Sequence, residues 1–175
     1  SLNQINEAVE RASNLTRQLL AFSRKQIMKF EVINLNELVD NLTRMLIRLI
    51  GEQVTLKCHL NKDLALVEAD SCSIEQVLVN LAVNARDAMP GGGELLISTN
   101  FIEVDSDYAS NHPEANTGLF VLLSVADTGC GMEAATKERL FEPFFTTKEV
   151  GKGTGMGLAT AYGVIKQHKG WIEVQ

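Results

Sequence analysis

Two asparagines on one predicted helix have the type and spacing to support chemistry. Asn80 and Asn84 lie in the segment NLAVNARDAM, and side chains four residues apart share one face of a helix. An amide carbonyl is a hard oxygen ligand that suits Mg²⁺ when phosphates and water complete the coordination shell. In the alternative, one amide forms a local hydrogen bond and the other is solvated, because asparagine commonly bonds to nearby backbone.

A carboxylate followed by two glycines lies at the end of a predicted strand. In VADTGCGM, Asp127 can accept a hydrogen bond from an exocyclic amine, and Gly129 and Gly131 let the backbone approach a flat ring. Asp and Gly are also ordinary turn residues, so a strand-ending turn without a ligand remains the alternative.

A glycine-rich segment leads into a predicted helix. In GKGTGMG, Gly153, Gly155 and Gly157 let several backbone N–H groups converge on an anion at the positive end of the helix dipole. Lys148 and Lys152, in the stretch before the helix, can reach phosphates. The spacing fits neither the Walker-type P-loop nor the Rossmann fingerprint, and a flexible surface loop is the alternative.

An aromatic segment, FEPFF, precedes the glycines and is interpreted as a hydrophobic anchor for that stretch rather than as a stacking platform. The amide helix, the Asp-Gly turn and the glycine-rich helix entry occur in one order within one domain. Together they would supply a metal ligand, an adenine anchor and a phosphate cradle, which makes coincidence a poor account.

Hydrophobic periodicity predicts the helices that must position these groups. An amphipathic helix over LNQINEAVERASNLTRQLLAFSRKQ has a narrow apolar seam and needs a partner helix. Asn34 or Asn36 can cap a second helix that Gly51 ends, and Asp70 or Ser71 can cap a third, over SIEQVLVNLAVNARDAM. AATKERLF and MGLATAYGVIKQH are predicted as the remaining helices.

The strands are predicted over QVTLKCHL, ELLISTNFIEV, GLFVLLSVADTG and GWIEVQ. GLFVLLSVADTG is a nearly continuous apolar run, so it is expected to be a central strand. Helices and strands mix without strict βαβ alternation, which favours an α+β fold. The predicted architecture is a two-layer α/β sandwich, a mixed sheet covered by helices on one face, preceded by one long amphipathic helix.

Composition excludes several classes of protein. A chain of 175 residues with 45% hydrophobic residues fits one soluble domain. Its net charge of −6 and the lack of a Lys/Arg block argue against nucleic-acid binding. The sequence contains no run of about 18 apolar residues that would indicate membrane contact. A cytoplasmic location is therefore expected, although a longer parent could be membrane-anchored. The three cysteines fit neither a disulfide framework nor a zinc site and are expected to be buried or semi-buried thiols.

The four segments together resemble the ATP-binding domain of sensor histidine kinases, within the GHKL group shared with gyrase, heat-shock chaperone and mismatch-repair ATPases. NLAVNARDAM is similar to the N box of that family, DTGCGM to its G1 box, FEPFF to its F box and GTGMGLA to its G2 box. Residues 31–175 would form the ATP-binding domain, with its last strand missing. Residues 1–30 resemble the second helix of the dimerisation and phosphoacceptor hairpin.

The resemblance implies a role for each matching position. Asn84 would hold Mg²⁺, Asp127 would bind the adenine amino group, and Gly131 and Leu140 would lie beside the ring. The other implied nucleotide contacts are Asp87 and Gly129, together with the phosphate-lining Thr154, Gly155, Met156, Gly157 and Leu158. The candidate catalytic residues are Asn80, Asn84 and Lys148.

Gyrase-like members place a catalytic glutamate one helical turn before the metal asparagine, where this chain has Asn80. The missing carboxylate base argues against activation of water and for transfer of the γ-phosphoryl group to a protein acceptor. Glu75, farther back on the helix, is a weaker substitute base. The alternatives are a hydrolysing ATPase of the gyrase-like group and a non-catalytic nucleotide-binding module.

The resemblance thus implies a protein-histidine kinase that uses ATP and Mg²⁺. Its dimeric parent would phosphorylate a histidine of the dimerisation domain and pass the phosphoryl group to an aspartate of a response regulator receiver domain. None of His59, His112 and His168 fits the family's phosphoacceptor position, and each is interpreted as structural or solvated. The chain is therefore expected to bind nucleotide without completing its own autophosphorylation.

Overall fold

The computed structural model describes residues 28–149 and 153–175. The amphipathic helix predicted near the N-terminus and Lys152 lie outside the described residues. Within them, the five helices are α1 (Leu35–Ile50), α2 (Ser71–Ala88), α3 (Ser106–Asn111), α4 (Ala134–Arg139) and α5 (Gly157–Gln167). The five strands are β1 (Glu31–Ile33), β2 (Val54–Leu60), β3 (Val67–Ala69), β4 (Gly93–Val104) and β5 (Gly118–Asp127).

The main sheet of the described residues has the strand order β2-β4-β5. β2 runs parallel to β4 and β5 runs antiparallel to it, with Val54 opposite Gly93 and Leu95 opposite Asp127. β1 and β3 form a separate antiparallel pair. The predicted mixed sheet with helices is therefore confirmed.

The expectation that β5 is a central strand is wrong, because β4 is the strand paired on both edges. Among the described residues β5 pairs only with β4, and Leu119 and Leu122 of β5 are 69% and 41% exposed. A continuous apolar run shows that a strand has two apolar faces, but it carries no information on how many neighbours the strand has.

The core lies between the sheet and a helical layer in which α2 contacts both α1 and α5. Side chains of β4 alternate, so that Leu95, Ile97 and Thr99 are buried under the helices. The largest fully buried side chains are Leu46, Leu78, Leu95, Ile97 and Val39. α2 thus has one face fixed in the core, which leaves its other face free to carry polar groups.

The predicted helix boundaries have clear local causes. Oδ1 of Asn34 accepts hydrogen bonds from the N–H groups of Asn36 and Glu37 at the start of α1, and Gly51 ends it with φ of 81°. Asp70 caps α2 by accepting from the N–H of Ser73 at 2.8 Å. These caps confirm the predicted starts of both helices.

The prediction of a strand over GWIEVQ is wrong, since residues 170–175 have no strand pairing. Trp171 instead packs edge-on against Phe120, with 4.8 Å between ring centroids, and its Nε1 donates to Glu173. At this position, aromatic packing and a side-chain hydrogen bond take the place of backbone hydrogen bonds to a neighbouring strand. β1, β3 and α3 are not among the predicted elements, and the two strands, of three residues each, are too short to show an alternating pattern.

The cysteine expectation holds for one thiol of three. Cys58 on β2 is half-buried, and burial raises the pKa of its thiol. Cys72 and Cys130 are exposed, which corrects the expectation of buried or semi-buried thiols. Cys72 lies in the first turn of α2 and Cys130 in the turn after β5, where neither side chain faces the core.

Candidate functional site

The start of α5 lies against the polar face of α2. Nδ2 of Asn80 donates to the carbonyl oxygen of Gly157 at 3.2 Å. A Cβ at Gly157 would be 3.8 Å from Asn80 Cγ and from Asn84 Nδ2. Both asparagines therefore face the entry of α5, as a shared helix face requires.

The first turn of α5 has no side-chain cap among the described residues. Met156 stands at the N-cap and supplies no side-chain hydrogen bond to the helix, while Oγ1 of Thr154 accepts from the Met156 N–H at 3.4 Å. The next N–H groups are those that a helix cannot satisfy internally, and they lie at the positive end of its dipole. Thr154 is exposed, Gly157 and Leu158 are half-buried and Met156 is buried.

A lysine, an amide and a carboxylate form a cluster beside this helix start. Nζ of Lys148 donates to Oδ1 of Asn84 at 3.3 Å and to Oδ2 of Asp87 at 2.6 Å. Oδ1 of Asp87 accepts from Nε and Nη2 of Arg86 at 2.9 and 2.7 Å. Partial burial alone would raise the pKa of Asp87, but the hydrogen bonds and charges of Lys148 and Arg86 outweigh it and hold that pKa below its ordinary value.

The Asp-Gly turn is locked between α2 and the sheet. The Gly129 N–H donates to Oδ1 of Asp127 at 2.8 Å, and the Cys130 N–H donates to the carbonyl oxygen of Ala88 at 3.1 Å. A Cβ at Gly129 would lie 2.7 Å from the Ala88 Cβ, which is closer than side chains tolerate. Oγ1 of Thr128 accepts from the Glu94 N–H at 3.0 Å and ties the turn to β4.

Gly131 has φ of 68°, and no other described residue outside its immediate chain neighbours would contact a Cβ there within 4 Å. Its glycine is therefore required by the backbone conformation, and the space beside it is open. Leu140, at the end of α4, is buried at 6% exposure.

The glycine-rich segment is joined to the aromatic segment. The Phe144 N–H donates to the carbonyl oxygen of Gly155 at 2.9 Å. Gly155 has φ of 64°, and a Cβ there would overlap the backbone of Phe144. Only glycine fits at this position unless one of the two backbone segments shifts.

One ring of the aromatic segment, Phe141, has the predicted packing role, and the other two differ from it. Phe141 packs against Tyr162 of α5 with 4.9 Å between centroids, and the Arg139 guanidinium lies 4.4 Å above the ring of Phe145. Phe144 has φ of 68° and is 61% exposed.

Residues 69–175 match the family described as histidine kinase-, DNA gyrase B- and HSP90-like ATPases. The chain belongs to this family. The resemblance predicted from the four sequence segments is confirmed, and the fold is that of histidine kinase catalytic domains.

The chain is similar to the sensor kinase CckA of Brucella abortus (strain 2308), with 49% identity over 96% of this chain. The match covers 18% of CckA, so the chain spans less than a fifth of that relative. The solved catalytic domain of histidine kinase ThkA is 30% identical with a TM-score of 0.56, over 81% of this chain and 82% of that one. ThkA in complex with the response regulator TrrA is 25% identical with a TM-score of 0.68, over 99% and 46% of the two chains.

Some residues considered in the sequence analysis lie outside the candidate site. Glu75 lies nine residues before Asn84 on α2, about 13 Å along the helix axis. His59 lies on β2, and His112 stacks on Tyr108 at 4.1 Å at the end of α3. His168 is structural, since its Nε2 accepts from the Asp70 N–H at 3.0 Å and its Nδ1 donates to the Val164 carbonyl at 2.8 Å.

Two contributors were missed by the sequence reasoning. Arg86 bonds Asp87 and also donates from Nη1 to the carbonyl oxygen of Leu49 at 3.2 Å, which joins the ends of α1 and α2. Thr128 fixes the Asp-Gly turn to β4. Both are adjacent to residues that the motifs had singled out, but sequence alone does not reveal which atom each would bond.

The described residues contain no helix long and apolar enough to cross a membrane.

Proposed function

We propose that this chain is the ATP-binding catalytic domain of a sensor histidine kinase. Its parent would transfer the γ-phosphoryl group of ATP to a histidine of the dimerisation domain, for relay to a response regulator aspartate. The observation that supports the proposal is that the uncapped first turn of α5 lies against Asn84, whose oxygen and that of Asp87 face one cation, because this would place an anion site beside a cation site.

The adenine end of ATP would lie at the turn after β5. Asp127 would accept from the exocyclic amine, while Gly129 and Gly131 let the ring approach the backbone and Leu140 supplies apolar contact. The hydrogen bond from Gly129 to one carboxylate oxygen fixes the direction of the Asp127 side chain. The phosphates would lie on the residues Thr154, Gly155, Met156, Gly157 and Leu158.

The donor set around Lys148 fits Mg²⁺. Oδ1 of Asn84 and Oδ2 of Asp87 are hard oxygen donors that already face a cation, the Lys148 ammonium. Asn84 would be the protein ligand, and phosphate and water oxygens would complete the shell. The bound metal would supply charge neutralisation on the transferring phosphoryl group.

Asn80 supports phosphoryl transfer over hydrolysis. Its amide nitrogen donates to the Gly157 carbonyl, so this side chain positions the start of α5 and offers no carboxylate to accept a proton from water. Catalysis would then depend on orientation and charge stabilisation by the helix start, Lys148 and the metal.

The proposed kinase would act within a homodimeric cytoplasmic assembly. Residues 1–30 would contribute a dimerisation helix and residues 31–175 the ATP-binding domain. The response regulator is the proposed partner, supported by the solved complex of ThkA with TrrA.

Calorimetric titration with ATP and ADP, with and without Mg²⁺, tests the proposal together with an assay of released phosphate. Asp127→Asn keeps an oxygen for the Gly129 N–H but loses the charge, and it should weaken nucleotide binding about tenfold. Asp107→Asn on α3 is the matched control and should bind as the unmodified chain does. Robust release of phosphate would favour a hydrolysing ATPase instead, and unchanged affinity of Asp127→Asn would refute the assigned adenine site.

A further inference from the structure

Lys148 has contacts that a phosphate-binding lysine does not require. Its ammonium bridges Asn84 and Asp87, which are three residues apart on α2 and so share one face of it. Its backbone N–H donates to Oγ1 of Thr146 at 3.2 Å, and a Cβ at Gly153 would lie 3.1 Å from its Cδ. The charged end is therefore held by α2, and the aliphatic stem lies against its own segment at Gly153.

The ammonium lies on Oδ1 of Asn84, the oxygen that would ligate Mg²⁺ in the proposed function. Lys148 turns the Asn84 amide so that its oxygen faces the cation and its nitrogen faces Gly157. The side chains of Lys148 and Asp87 are 32% and 26% exposed, so the ion pair is partly shielded from water. An ammonium and a divalent cation on the same Asn84 oxygen would repel each other strongly, which favours release of the ammonium when the metal binds.

We propose that Lys148 is a placeholder for the divalent cation, held by Asp87 as a positioning residue, and that nucleotide-bound Mg²⁺ displaces it. The inference rests on the proposed function. In the nucleotide-free chain the ammonium keeps the Asn84 oxygen oriented and offsets the charge of Asp87. On displacement the ammonium is released to solvent when ADP is bound, and in the ATP complex it becomes free to pair with the γ-phosphate, which ADP lacks, so one residue serves both states.

Acetylation of lysines by acetic anhydride, quantified by mass spectrometry, tests the displacement directly. Lys148 in the ADP-saturated chain should be acetylated about threefold faster once Mg²⁺ is added, because its ion pair is lost. Lys166 is an internal control, since it pairs with Glu114 at 3.2 Å and is 36% exposed. An unchanged or slower rate at Lys148 would overturn the inference.

Asp87→Asn tests the positioning role. In this variant Lys148 should react rapidly without Mg²⁺, and the metal should add no further increase. A metal-dependent increase as large as in the unmodified chain would show that Asp87 does not hold the lysine.

The Mg²⁺ concentration that half-saturates ADP binding gives a second readout. It should fall about threefold to fivefold in Lys148→Met, while Lys148→Arg, which retains a cation, and Lys166→Met should stay near the unmodified chain. If this Mg²⁺ concentration does not fall in Lys148→Met, the inference is overturned but the proposed function is not. Failure of the unmodified chain to bind ADP, with or without Mg²⁺, would overturn the proposed function and this inference with it.

Discussion

The two walls of the candidate site are built by different means. On the α2 wall, Leu78 and Ala82 are 1% and 0% exposed, so burial of one face positions the asparagines on the other. On the glycine-rich wall, Phe144 is 61% exposed, and a backbone hydrogen bond to Gly155 and the contacts of Lys148 attach the segment. Damage to the first wall should therefore lower global stability, and damage to the second should chiefly lower nucleotide affinity.

Leu78→Ala breaks the α2 wall and should have the largest effect. Removal of this fully buried side chain leaves a cavity between α2 and the sheet, which should lower the free energy of unfolding by about 2–5 kcal/mol. Urea denaturation followed by circular dichroism measures it. Leu66→Ala is the control, because Leu66 is 60% exposed and its loss should cost at most about 0.5 kcal/mol. Equal losses in the two variants would show that α2 is not fixed by its buried face.

Gly129→Ala tests the junction where the Asp-Gly turn meets α2. The added Cβ would lie 2.7 Å from the Ala88 Cβ and 2.8 Å from its carbonyl oxygen, so the turn must move, at about 1–3 kcal/mol of unfolding free energy. ADP affinity should fall as well, since Asp127 moves with the turn. Gly91→Ala has no described neighbour within 4 Å of the new methyl group and should change neither quantity by much. A stable Gly129→Ala variant with full affinity would contradict this account of the turn.

Gly155→Ala tests the opposite wall. Its positive φ and the overlap with the Phe144 backbone should cost about 1–2 kcal/mol of stability, and no more because the exposed segment can shift. The shift displaces the phosphate-lining backbone, so calorimetric ADP affinity should fall more than stability does. Gly163→Ala, within α5 and with open space around it, should raise stability by up to about 1 kcal/mol and leave affinity unchanged. The comparison between the walls would be wrong if Gly155→Ala strongly lowered the free energy of unfolding and left the ADP affinity of the folded domain unchanged.

The sequence predicted what is local and periodic. The caps at Asn34 and Asp70, the shared face of Asn80 and Asn84, and the glycine entry to α5 each depend on neighbouring residues, and the structure shows all of them. The edge position of β5 and the absence of pairing in GWIEVQ depend on contacts between distant segments, which no single-sequence pattern contains.

Side-chain partners across the site follow the same rule. The cluster of Lys148 with Asn84 and Asp87 joins residues more than 60 positions apart. The sequence identified Lys148 as a phosphate contact from its charge and place in the chain. Its bond to α2 depends on how the glycine-rich segment folds back, which only the three-dimensional arrangement reveals.

Acid sensitivity should be the smallest of these effects, and it concerns the α2 wall at its N-cap. The hydrogen bond with Ser73 lowers the pKa of Asp70, with further help from the Lys29 N–H and against a small opposing effect of burial. The stability that Asp70 contributes is therefore fully present above its unfolded-state pKa of about 3.9 and is lost as the pH falls through the lower folded-state value. Asp70→Asn keeps a capping oxygen without the charge, so its unfolding free energy should fall less between about pH 5 and pH 3. Urea titrations at each pH measure this, with Asp105→Asn at the cap of α3 as the control. Coincident pH profiles of Asp70→Asn and the unmodified chain would mean that the α2 cap depends on the oxygen atom alone and not on its charge.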